Sequence, residues 1–213
     1  PPQRSYDDRP PARQDRGPPR PARAGRREPA ARGDHGEAPR PGALPADVVT
    51  GAHAVEALAR LQPGRIREIY LWSADPRLEA RVSAIAATHD LRLLREPPPG
   101  VAGDPLNPQG IAARVTPFDY HDLDDLVPVA GALPGTLVVV LDSITDPRNL
   151  GAIVRSAAFF GATAVVVPQD RAAEVTSLVE RVAEGGTAAV PIVRVVNLAR
   201  TLKALRDRGV EVV

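Results

Sequence analysis

Asp142, Asp146, Arg148, Asn149, Arg155 and Ser156 lie together in the stretch LDSITDPRNLGAIVRSAAFFGA, residues 141–162. A carboxylate at the end of a Val-rich strand can act as a nucleophile or a Mg²⁺ ligand in phosphoryl transfer. That chemistry normally wants Asp-x-Asp, and residue 144 is Ile. The basic and amide groups point elsewhere. Arg148 and Arg155 are seven residues apart, so on a helix they project from nearly the same face, as do Asn149 and Ser156. Gly151 sits near the start of this segment, where a missing side chain would let a ligand backbone come close. Free N–H groups and the positive dipole end would add anion affinity beyond the carboxyl edge of a parallel strand. The sum is a phosphate- or ribose-facing surface without a nucleophile. A plainer reading has Asp146 as a cap, Asn149 filling the first turn and the arginines solvated. Spacing alone leaves both open.

The elements that would position these groups follow from pattern. Asp146 suits the N-cap, Pro147 the first helical position and Gly161 the residue past the end, which predicts a helix over 147–160. Its expected buried stripe is Leu150, Ile153 or Val154, Ala157 and Phe160. Before it, TLVVVLDSI (136–144) reads as a central parallel strand covered on both faces. Strands at 163–168, 191–196 and 210–213 alternate with helices at 172–185 and 198–209, predicting a parallel sheet with crossover helices. Upstream, VVTGAHAVEALARL reads as strand, turn and helix, with Ala54, Val55, Leu58 and Leu61 at helical spacing. Strands at 66–72, 91–94 and 111–115 and a helix at 76–90 complete a small α/β domain over 46–117. Residues 118–135 read as a linker to the second unit, 136–213.

Residues 1–45 hold 11 Pro, 5 Gly and ten Arg against six acids, with few large apolar groups. Such a segment cannot offset its ordering entropy, so disorder is expected. It is either a solvated tail or an arm adding salt-sensitive affinity for RNA phosphates. Over all 213 residues the formal net charge is only +1, so no global argument for a polyanionic partner exists. No cysteine is present, which excludes disulfides, thiolate metal sites and cysteine nucleophiles. No apolar run approaches a membrane span, and a cytoplasmic protein is expected. The chain opens on Pro, holds no Met and stops on a predicted strand, so it reads as part of a longer protein.

The segment LDSITDPRNLGAIVRSAAFFGATAVVVP closely resembles motif 1 of the SpoU–TrmH methyltransferases of the knotted SPOUT class. That motif runs from a hydrophobic strand through Asp-x-x-x-Asp-Pro-x-Asn-x-Gly-x-x-x-Arg-(Ser/Thr)-Ala to Phe-Gly-(Ala/Cys). VTGAHAVEALAR resembles the opening of the L30e-like substrate-binding domain of the bacterial rRNA branch. NPQGIAARV resembles the close of that domain, with Pro108 where His is common. The resemblance implies an L30e-like α/β domain followed by a parallel-sheet SPOUT (α/β knot) domain lacking its C-terminal knotted part.

It also implies methyl transfer from S-adenosylmethionine to a ribose 2′-OH, that of guanosine in large-subunit ribosomal RNA, with no metal. Arg155 and Asn149 would be the catalytic pair, and Arg148, Gly151 and Ser156 would face RNA. Cofactor residues would come from motifs 2 and 3, which this chain does not contain, so these residues alone are expected to be inactive. Family members form homodimers through the knotted domain. Glu184-Gly185-Gly186 departs from the usual Ser-Ala-Gly-Ala. The rival is a non-catalytic RNA-binding module with a degenerate partner domain. His53 and His121 read as turn and loop residues, and Arg65, Arg67 and Arg77 as a solvated face that could touch RNA.

Overall fold

Alternating apolar residues build the first sheet. Val48 and Val49 point to opposite faces of β1 (Val48–Thr50), as do Ile69 and Tyr70 in β2 (Ile66–Leu71), and all four are buried. The computed structural model describes residues 45–99, 109–130 and 135–213. The expected tail and Pro108 lie outside the described residues. β3 (Leu93–Leu94) runs parallel to β2, while β4 (Ile111–Val115) lies antiparallel between β1 and β2. On one face α1 (Ala52–Leu61) and α2 (Pro76–Thr88) share a core with the strands, led by Val49, Val55, Leu58, Ile69, Val82 and Ile111. Asp75 caps α2 by accepting the Arg77 N–H, with Pro76 at the first position. Leu61 departs from the expected stripe: it is the last residue of α1 and is exposed.

The second sheet is parallel, in the order β5 (Val138–Val140), β6 (Ala164–Pro168), β7 (Ile192–Val195). The centre is β6, buried at every residue, and not the 136–144 segment; β5 is half-buried at the edge. An apolar run reports its own burial tendency but not how many strands flank it. In chain order the helices are α3 (Leu123–Ala130), α4 (Pro147–Phe159), α5 (Ser177–Val182), α6 (Gly186–Ala189) and α7 (Leu198–Arg206). Leu150, Val154 and Val179 bring α4 and α5 onto one face, against Val165 and Ile192. Leu126 and Leu205 bring α3 and α7 onto the other, against Val166 and Val193. The helices sit on both faces, as crossover connections require.

Three further departures have local causes. The expected linker is built into the sheet: His121 N–H donates to Ile192 O at 2.9 Å and Arg194 N–H to His121 O at 3.1 Å, and α3 follows. The expected helix over 172–185 is delayed to Ser177, because its first residues spend their backbone sideways. Ala173 N–H donates to Ile144 O at 2.8 Å, and Val175 N–H to the Tyr120 hydroxyl at 2.7 Å. It then breaks where Glu184 and Gly185 take φ of 47° and 96°. No strand forms over 210–213; Val210 N–H instead turns back to Leu205 O, closing the end of α7.

All described residues fall in one compact unit, and the two sheets are joined by a buried ion pair. Arg65, just before β2, donates to Glu180 on α5 at 2.7 Å, and only 14% and 4% of the two side chains are exposed. The same guanidinium donates to Thr116 O at 3.2 Å and lies over the Phe118 ring at 5.2 Å. This overturns the solvated-face reading of Arg65; Arg67 and Arg77 are exposed. Removing one member strands a buried charge. Arg65→Ala is therefore expected to cost about 3 kcal/mol in denaturant unfolding. A loss below about 0.5 kcal/mol would show that the sheets are held together by other contacts.

Candidate functional site

The chain leaves β5 through Leu141 into a tight turn, where Ser143 takes φ of 59° and its hydroxyl donates to Asp142 at 3.0 Å. Asp146 then starts α4, its carboxylate accepting the Arg148 N–H at 2.7 Å with Pro147 in the first position. Gly161, in the left-handed region at φ 69°, follows the last turn. These local expectations stand.

The helix divides its residues cleanly. Leu150, Gly151, Val154 and Ala157 are buried, while Arg148, Asn149, Ala152, Arg155 and Ser156 are exposed. The exposed set recurs at helical spacing, so both arginines, the amide and the hydroxyl share one side. Ser156 donates back to Ala152 O at 3.0 Å. Gly151 belongs to the other side. A Cβ there would stand 2.8 Å from Val182 Cβ and 3.0 Å from Val179 O, so the glycine admits the close approach of α5 and leaves no opening for a ligand. Phe160 also departs from the expected stripe: it is 72% exposed beside Phe159 at 83%, the rings meeting edge to face.

Sequence reasoning missed the partner of Arg155. Its Nη1 lies 2.8 Å from Glu184 Oε1, and Glu184 Oε2 lies 3.5 Å from His53 Nδ1 on α1. The available signal was the Glu184-Gly185-Gly186 departure from the resembled pattern. His121, by contrast, contributes backbone to the sheet and an exposed side chain. Three cavities among the described residues measure about 340, 150 and 480 Å³, and none is lined by Arg155 or Asn149.

Residues 136–213 match the SpoU rRNA Methylase family. The chain is also 38% identical over 177 residues to the 23S rRNA (guanosine-2'-O-)-methyltransferase RlmB of Photobacterium profundum, covering 78% of this chain and 69% of that protein. The chain belongs to the SpoU family. An uncharacterized tRNA/rRNA methyltransferase of Mycobacterium tuberculosis is 50% identical over 105 residues, 49% of this chain and 33% of that one. The chain thus spans between about a third and a half of the length of the mycobacterial relatives it matches. Among solved structures, the SpoU methyltransferase AviRb from Streptomyces viridochromogenes with AdoMet superposes with a TM-score of 0.57 at 23% identity. It covers 76% of this chain and 58% of that one. An AdoMet-bound rRNA methyltransferase from Sinorhizobium meliloti gives a TM-score of 0.56 at 23% identity, with the same coverage. These likenesses establish the fold.

In this SpoU chain, then, the motif glycine at 151 is a packing residue. Gly151→Ala is expected to lower stability by about 1–3 kcal/mol as α4 and α5 are forced apart, read as a drop in melting temperature. An unchanged melting temperature would show that α5 yields freely.

Proposed function

We propose that this chain is part of an S-adenosylmethionine-dependent methyltransferase acting on a guanosine 2′-OH of large-subunit ribosomal RNA. The observation that carries this reading is the exposed face of α4, where Arg148 and Asn149 stand about two turns before Arg155 and Ser156 on a capped helix beyond a parallel strand. The relationship to the Photobacterium enzyme supports the substrate class. Kinship with a SpoU family that includes the AdoMet-bound AviRb supports the methyl donor. The cofactor is assigned to no residue of this chain, and the mechanism concerns the RNA side.

A ribose hydroxyl is a weak nucleophile near neutral pH and must lose its proton as it is alkylated. An arginine guanidinium does not give up its proton in proteins and acts as a fixed cation. The role of Arg155 is to stabilise the developing negative charge on the 2′ oxygen and to grip an adjacent phosphate, which a planar guanidinium does with paired donors. Asn149 supplies an uncharged amide nearer the start of the same helix face. Arg148 and Ser156 extend the same face along the RNA backbone. A cytoplasmic location belongs to the same reading, since its substrate is ribosomal, and a homodimer belongs to it by resemblance to the family; among the described residues no helix is long and apolar enough to cross a membrane.

The test is methyl transfer from labelled S-adenosylmethionine to ribosomal RNA. It compares the 213-residue chain with a form extended to the length of the Photobacterium relative. The extended form is expected to be active, and Arg155→Ala to lower its kcat/KM about a hundredfold or more. Inactivity of the extended form, with RNA binding retained, would turn the reading to a non-catalytic RNA-binding module.

A further inference from the structure

We infer that Glu184 is a positioning residue for Arg155, aiming its guanidinium from the boundary between the two sheets, with His53 holding the far oxygen of the same carboxylate. The inference rests on the reading of Arg155 as the catalytic arginine and goes beyond it. Three elements meet at this carboxylate. Arg155 comes from α4, His53 from α1 of the first sheet, and Glu184 from the break between α5 and α6, with contacts of 2.8 and 3.5 Å.

The backbone around Glu184 is over-determined. Glu184 itself takes φ 47°, a left-handed conformation that a non-glycine residue adopts only under local constraint. Gly185 follows at φ 96°, so close to α1 that a Cβ would stand 2.4 Å from Ala57 Cβ and 3.2 Å from His53 O. At Gly186 a Cβ would meet Val154 O at 3.0 Å and the Arg155 backbone at 3.1–3.2 Å. The three-residue turn is therefore wedged between α1 and α4, and neither glycine position tolerates a side chain without movement.

Stability does not account for the arrangement. The side chains of Arg155 and Glu184 are 57% and 40% exposed, and an ion pair this open to water contributes little to folding. What it does is restrict a long, flexible side chain to one direction. The closest approach of Glu184 is to Nη1, and a guanidinium has five N–H donors, so donors remain for a ribose or phosphate oxygen. Orientation before the substrate arrives lowers the entropy lost when it does. His53, 74% exposed, approaches the other carboxylate oxygen at 3.5 Å from the side of the first sheet.

The experiment measures kcat and KM for RNA in the extended, active protein. Glu184→Gln is expected to lower kcat about tenfold with little change in KM or melting temperature. Glu184→Asn, which suits left-handed backbone, serves as a second neutral variant and is expected to match it. The double variant Arg155→Ala/Glu184→Gln is expected to be no slower than Arg155→Ala alone, because a residue acting through Arg155 has nothing left to position. His53→Ala is expected to give a smaller loss, about threefold. Full kcat in both neutral variants would overturn the inference, as would losses that multiply in the double variant. Full activity in His53→Ala would sever the link to the first sheet. Wild-type activity in Arg155→Ala would bring down the catalytic reading itself, a failure distinguishable from the others.

Discussion

A buried guanidinium–carboxylate pair, Arg65 with Glu180, fixes how the two sheets meet, and the candidate site depends on that fit. Two charges taken out of water are costly, and their attraction offsets the loss only with good geometry and further hydrogen bonds. Most of this is met here. Glu180 receives bonds of 2.7 and 3.4 Å from two nitrogens of Arg65, which also donates to Gln62 Oε1 and Thr116 O and lies over the Phe118 face, leaving the buried Nε unpaired. Gln62, three residues before Arg65, donates to Ala188 O on α6 at 3.3 Å, so the same short stretch holds α6 as well as α5. With α5 and α6 both fastened to the first sheet, the turn between them has nowhere else to go.

That turn explains why a motif read along one helix understates the site. The sequence of α4 contains its own start, stop and exposed face, because caps and periodicity are local properties. Asp146, Pro147 and Gly161 do what their types dictate, and Arg155 and Asn149 emerge where spacing puts them. Nothing local tells that Arg155 will meet Glu184, which lies 29 residues on, just before two glycines. The break at Glu184 follows from Gly185 against Ala57, a contact between residues more than a hundred positions apart.

The other departures share that logic. Residues 172–176 carry a helical apolar pattern, yet their N–H groups are claimed by Ile144 O and the Tyr120 hydroxyl. A backbone donor committed to a neighbour cannot also close a helical turn. The Val-rich run of β5 was legible as a strand but not as an edge, since strand order is a property of the assembled sheet. Gly151 is the sharpest case. A glycine near a helix start can serve a ligand or a neighbouring helix, and residue type does not distinguish them. Only the 2.8 Å that would separate an added Cβ from Val182 Cβ assigns it to packing.

Packing and exposure then divide α4 by face rather than by position along the motif. Leu150, Gly151, Val154 and Ala157 anchor the helix to α5 and β6, and that rigidity is what makes a precise outward face possible. Arg155 follows Val154, which is fully buried, so its Cα has little freedom even though its guanidinium reaches water. A long side chain on a fixed Cα still samples many rotamers, and restraint must come from its far end. Glu184 supplies that restraint from a turn clamped by both sheets. The family match begins at residue 136 and so includes Arg155 and Glu184, but not Arg65 or His53. The part of this architecture that orients the arginine therefore extends past the segment by which the family is recognised, into the first sheet.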